Sequence, residues 1–188
     1  MENRNIILGG VFMNEKTKDL VWAALFLAIG IVIPYVFHVT SLPGQIFLPM
    51  HIPVLLCGVI LGKKYGLILG ILLPFVNSVL LGMPAIFPTG VSMAFELATY
   101  GIVTGLLYKD KKYNIFISLI VAMVVGRIVS GVANYILLTV GGNVFVFTAF
   151  LTTTFIKAIP GIIIQLILIP VVLKAVEHVK KGEAVINE

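Results

Sequence analysis

The chain has 188 residues, of which 60% are hydrophobic and only 11% charged, with a mean hydropathy of +1.13. Soluble domains carry roughly a quarter charged residues, so this composition excludes an ordinary globular enzyme. A net charge of +5 would suggest nucleic acid in a soluble protein, but in so apolar a chain it marks loops facing anionic lipid.

Residues 1–17 are predicted to be a cytoplasmic tail. Leu8-Gly9-Gly10-Val11-Phe12-Met13 back-translates to a ribosome-binding sequence followed by a start codon. Two readings stay open for residues 1–12: an extension ahead of a natural start at Met13, or an ordinary disordered tail. No cleavable signal peptide is expected, because the first apolar segment is too long and no small-x-small site follows it.

Six apolar spans are predicted, at about 18–38, 46–62, 65–82, 90–107, 114–140 and 148–173. The first carries Trp22 at interface depth. It also places Ala24 and Ala28 on one face beside Ala23, small residues that let another helix approach closely in lipid. Pro34 is expected to kink or end it. The second is short, with Pro49 and Pro53 near one end. Gly58, Gly62, Gly66 and Gly70 make the hairpin to the third span smooth, as tight helix packing requires. The apolar, proline-stiffened connector Gly82–Gly90 is read as a lid over a small-molecule cavity or as a plug of the bundle. Residues 177–188 close the chain as a second cytoplasmic tail.

The connectors after the second and fourth spans contain Lys63, Lys64, Lys109, Lys111 and Lys112, whereas those after the first, third and fifth contain no charged residue. Lysine-bearing loops stay in the cytoplasm, so both termini are predicted to be cytoplasmic. The expected fold is an all-α bundle of six transmembrane helices, one domain over residues 18–176, in a cell membrane.

Ionisable groups in hydrocarbon are costly, and three occur: Glu96, Arg127 and Lys157. Helical spacing extends each into a polar stripe. Ser92, Glu96, Thr99 and Tyr100 share a face of the fourth span, and Arg127, Ser130, Gly131 and Asn134 a face of the fifth. Thr153, Thr154, Lys157, Gly161 and Gln165 share one on the sixth, with Pro160 loosening the backbone between them. At about 1.5 Å per residue, Glu96 and Asn134 lie about 8 Å below the lysine-poor end of their spans and Arg127 lies near mid-membrane. This predicts a wet pocket opening away from the lysines. Two cations and one carboxylate leave one positive charge for an anionic ligand group; if Glu96 and Lys157 pair, that cation is Arg127, and the alternative is a pair that only locks the helices. His38 and His51 are far apart and are expected to be solvated interface residues. No metal or cofactor site and no catalytic motif is found.

The residues from Lys18 to Val176 resemble the substrate-binding S components of energy-coupling factor (ECF) vitamin transporters. The most specific match is Ala23-Ala24-x-x-x-Ala28. It is supported by His51-Ile52-Pro53-Val54, Gly82-Met83-Pro84 with Phe87-Pro88, Glu96-Leu97 with Tyr100-Gly101, and Ala158-x-Pro160-Gly161-x-x-x-Gln165-Leu166. The resemblance implies capture of a vitamin or precursor by the last three spans and the loops on the lysine-poor side, with Glu96, Tyr100, Arg127, Asn134, Lys157 and Gln165 as candidate contacts. It implies docking through Ala23, Ala24 and Ala28 onto a membrane coupling subunit that works with two cytoplasmic ATPases. The surplus cation favours acidic substrates such as pantothenate, nicotinate, folate or lipoate, with pantothenate first. The competing expectations are a self-sufficient secondary transporter with Glu96 as proton site, which lacks an inverted repeat, and a membrane scaffold without a ligand.

Overall fold

The computed structural model describes residues 6–8, 11–40 and 44–186. Part of the possible extension (1–5, 9 and 10), the middle of the first connector (41–43) and the last two residues lie outside the described residues. A short antiparallel pair, β1 (Ile6–Leu8) and β2 (Val11–Met13), precedes an otherwise helical chain.

Five helical stretches are long and apolar enough to cross a membrane: Glu15–Val39, Lys63–Leu81, Ile86–Asp110, Ile115–Val140 and Phe147–His178. They coincide with five of the six predicted spans. The helix α1 (Glu15–Val39) continues through Pro34 rather than ending there, and Asn14 caps it by accepting from the Lys16 N–H at 3.2 Å.

The second predicted span is different. Residues 46–62 do not form one crossing helix. A single turn, α2 (Gly44–Phe47), is followed by a bend in which Leu48 takes a left-handed φ of 51°, and only then by α3 (His51–Leu61). Pro49 restricts the backbone before it, and Pro53 falls in the first turn of α3, where a missing N–H costs little. The eleven residues of α3 cover roughly 16 Å, about half the hydrocarbon thickness. All eleven are buried. This accounts for a segment that is apolar all round: α3 is wrapped by its neighbours and packs on α1, α4 (Lys63–Leu81), α5 (Val91–Thr104) and α8 (Ile159–Ile186).

Backbones approach closely where the glycines fall. Gly62, with φ 98°, turns α3 into α4. A Cβ added at Gly101 of α5 would fall on the backbone of Gly66, and one at Gly70 would lie 2.5 Å from Leu97 and Ala98. Such contact is the source of helix association in lipid, where apolar burial alone gives no advantage over lipid tails. The fully buried Asn77 ties α4 to α1 by donating to the Gly30 carbonyl at 3.1 Å.

The lysine-bearing connectors meet at one end. Lys63 pairs with Asp110 at 2.7 Å, Lys109 Nζ donates to the Leu61 carbonyl at 2.8 Å, and Tyr108 donates to Glu177 at 3.1 Å. The Lys109 bond satisfies an end carbonyl of α3 that has no partner within its own helix. Around the far end lie a π-type turn kinked at Phe87 (Ile86–Gly90) and, after the continuous helix α6 (Ile115–Val140), the short α7 (Phe147–Leu151), a further π-type turn (Thr152–Ile156) and the break before α8.

Gly101→Ala is expected to lower the melting temperature of the detergent-purified protein, with an overpacking cost of about 1–3 kcal/mol. Gly44→Ala, where an added Cβ meets nothing within 4 Å, is expected to leave it unchanged. Thermal unfolding of both variants checks the packing.

Candidate functional site

The irregular end encloses a cavity of ≈ 670 Å³. Its walls come from the last turns of α1 (Pro34, Phe37, His38), the bend Leu48–His51, the connector at Met83, Pro84 and Thr89, and the facing sides of α5 and α6. The connector Val144–Val146 and the start of the last span complete it. Most of the lining is apolar. The polar groups are grouped: Ser92 and Glu96 on α5, Arg127, Ser130 and Asn134 on α6, Thr153 and Thr154 opposite. A cavity of this size lined by carbon with a few placed polar atoms suits one small amphipathic molecule.

Several polar groups are already engaged locally. Ser92 Oγ donates to the Thr89 carbonyl at 2.9 Å, Asn134 Nδ2 to the Ser130 carbonyl at 2.9 Å, and Thr153 Oγ1 to the Ala149 carbonyl. Ser78 Oγ donates to the Pro84 carbonyl, fastening the connector Gly82–Gly90 to α4. In the other connector, Phe145 packs against Tyr135, Phe147 and Phe150 with ring centroids 5.8, 6.5 and 5.6 Å apart.

Glu96 is held from two sides. Tyr100, one turn on and fully buried, donates its hydroxyl to Glu96 Oε1 at 2.8 Å, and His51 Nε2 lies 3.7 Å from the same oxygen. The expected Glu96–Lys157 pair is not formed. Lys157 is exposed, does not line the cavity, and makes no ion pair among the described residues. The helical spacing that aligned it with Thr153 and Gly161 assumed an unbroken α-helix. The π-type turn Thr152–Ile156 inserts a residue, and the Lys157 N–H reaches back to the Thr152 carbonyl at 2.9 Å. Ala158 takes the inward position, in line with the buried Gly161 and Gln165.

His51 also departs from expectation. It is 4% exposed and lines the cavity, because the break at Leu48–Met50 puts it at the start of the buried α3 rather than at a membrane interface. His38, by contrast, is exposed at the cavity rim. Of the remaining candidates, Arg127 and Asn134 line the cavity and Tyr100 stands behind Glu96. Gln165 is 1% exposed, lies outside the lining, and has neither amide atom partnered among the described residues.

Arg127 stands out. It is 3% exposed, its guanidinium carbon sits 5.4 Å from the centroid of the Phe155 ring, and its Nε has no partner among the described residues. This buried cation lines the cavity and makes no ion pair within 4 Å among the described residues, although Glu96 and Tyr100 lie near enough to feel its charge.

The model of one family, ECF transporter, substrate-specific component, matches residues 18–173. The chain belongs to this family. It is therefore a multi-pass membrane protein and a substrate-binding subunit for uptake, one that works with the subunits of an ECF module. No curated protein and no solved structure matches the chain. The docking residues expected from the resemblance lie on α1, with Ala24 and Ala28 exposed and Ala23 half-buried.

Glu96→Ala removes the acceptor of the Tyr100 hydroxyl and the carboxylate beside His51, and is expected to cost about 1.5–3 kcal/mol of stability. Lys157→Gln is expected to stay within about 0.5 kcal/mol of the native protein, as surface changes do. Melting temperatures compared side by side check this ordering, and equal losses would return Lys157 to the Glu96 pair.

Proposed function

We propose that this S component captures a vitamin or vitamin precursor bearing a carboxylate, with pantothenate the first candidate. It would deliver this substrate across a bacterial cell membrane through an ATP-driven ECF module. The lysine distribution supports cytoplasmic termini and a cavity opening outward. ATP hydrolysis belongs in this reading to two separate cytoplasmic subunits, linked through a membrane coupling subunit.

The observation that carries the reading is Arg127. The wall charges of the cavity are Arg127 and Glu96, and Glu96 is occupied by Tyr100 and His51. That leaves the guanidinium for a ligand carboxylate, which it can grip with two parallel hydrogen bonds. Arg127→Gln is expected to weaken pantothenate binding by about 1.5–3 kcal/mol, about ten- to a hundredfold, measured by calorimetry on detergent-purified protein. Unchanged affinity in a well-folded variant would remove the carboxylate from the reading.

The exposed faces of Ala24 and Ala28 support docking of the coupling subunit on α1, away from the cavity walls. Replacing both with Leu is expected to abolish cellular uptake and co-purification of the coupling subunit and ATPases, while the isolated protein keeps its ligand affinity. Loss of affinity in parallel with uptake would mean that this face serves internal packing.

A further inference from the structure

We propose that Phe155 is the positioning residue for Arg127: its ring holds the guanidinium at the cavity wall for the anionic group of the ligand. The inference rests on the carboxylate reading and names the residue that keeps Arg127 where that reading needs it.

A guanidinium on a long stem inside a membrane commonly reaches toward headgroups or water. Arg127 stays within the bundle. It is 3% exposed, lines the cavity and makes no ion pair within 4 Å among the described residues. Glu96 and Tyr100 lie near enough to feel its charge, but the Tyr100 hydroxyl is engaged with Glu96. The close contact is with Phe155, whose ring has the guanidinium carbon over it, 5.4 Å from the centroid. The negative face of the ring attracts the cation without supplying an oxygen acceptor. The N–H donors of the guanidinium therefore keep their capacity for a carboxylate.

The ring reaches this place through the π-type turn. Thr152–Ile156 carries one residue more than an α-turn, and within it Thr153 and Thr154 line the cavity, as does Ala158 just beyond, while Lys157 is exposed. Phe155 lies between them in the chain, outside the lining and 39% exposed. It touches the guanidinium without forming part of the cavity wall, so an effect of this ring on a ligand must pass through Arg127. A gripping group already fixed in place spares the ligand the cost of ordering it, which is how such a residue raises affinity.

The test is a double-mutant cycle, read by calorimetry on the detergent-purified protein with pantothenate, nicotinate, lipoate and biotin as probes. For whichever acid binds the wild-type protein most tightly, Phe155→Leu is expected to weaken binding about threefold or more. Phe155→Tyr, which keeps the aromatic face, is expected to stay within about twofold. In the Arg127→Gln background Phe155→Leu is expected to change nothing further, a coupling that general loosening of the bundle does not produce. Phe155→trifluorophenylalanine keeps the shape of the ring and drains its face of negative charge, so the same loss is expected from it even if Phe155→Leu fails to fold. Native affinity in the folded Leu variant or in the fluorinated one, with Arg127→Gln still weakened, overturns the inference and leaves the carboxylate reading standing. A loss from Phe155→Leu that is equal with and without Arg127→Gln overturns it as well. Unchanged affinity in Arg127→Gln, or absence of binding by every acid, overturns both.

Discussion

A backbone inside hydrocarbon has no water to bond to, so each break in a membrane helix must be buried in protein or face a wet cavity. The form of this molecule follows from that constraint. Its irregular backbone at Leu48–Met50, Ile86–Gly90 and Thr152–Ala158 gathers around the cavity end. The short apolar helix α3 is enclosed by longer ones. Its C-terminal carbonyl at Leu61 is taken by Lys109, and its N-terminal residue, His51, is turned toward the cavity. Breaking the second span thus does two things at once: it opens room for a ligand and delivers a polar side chain to that room.

The charged groups inside the bundle follow the same logic. Glu96 is tolerable in a buried position because Tyr100 donates to its Oε1 and His51 Nε2 lies 3.7 Å away, and a hydrogen-bonded carboxylate escapes part of the desolvation cost of an isolated one. Arg127 makes no close ion pair among the described residues, and its aromatic neighbour Phe155 offsets only part of the cost. The asymmetry distinguishes a carboxylate held by its neighbours from a cation without a close ion pair among the described residues. The glycine contacts between α4 and α5 matter here, because they fix the helix that carries Glu96 and Tyr100 against the rest of the bundle.

Polar interactions at the two ends of the bundle are of different kinds. At the lysine end, Lys63 and Asp110 are both largely solvent-accessible, and such pairs contribute little to stability. At the cavity end His51, Glu96 and Arg127 are buried, where each polar contact matters more than at the solvent-exposed end. The helix α1 touches both regions. Its last turns line the cavity, and Ala24 and Ala28 lie exposed on its other half.

Hydropathy, the lysine pattern and glycine spacing settled the class of molecule, five of its crossing helices and the facing of Glu96, Arg127 and Asn134 into one region, because these depend on transfer energies and helical periodicity that are local to the chain. What periodicity could not yield was the position of Lys157, since a π-type turn shifts the register after Thr152, or the burial of His51, since the break at Leu48–Met50 moves it from an interface into the bundle. The aromatic connector around Phe145 was likewise invisible as a cavity wall, its only signal being an uncharged, aromatic-rich stretch. The sequence alone determined which polar residues enter the membrane. Only the tertiary structure decided which of them pair, because pairing depends on side-chain direction across helices, and every backbone irregularity resets that direction.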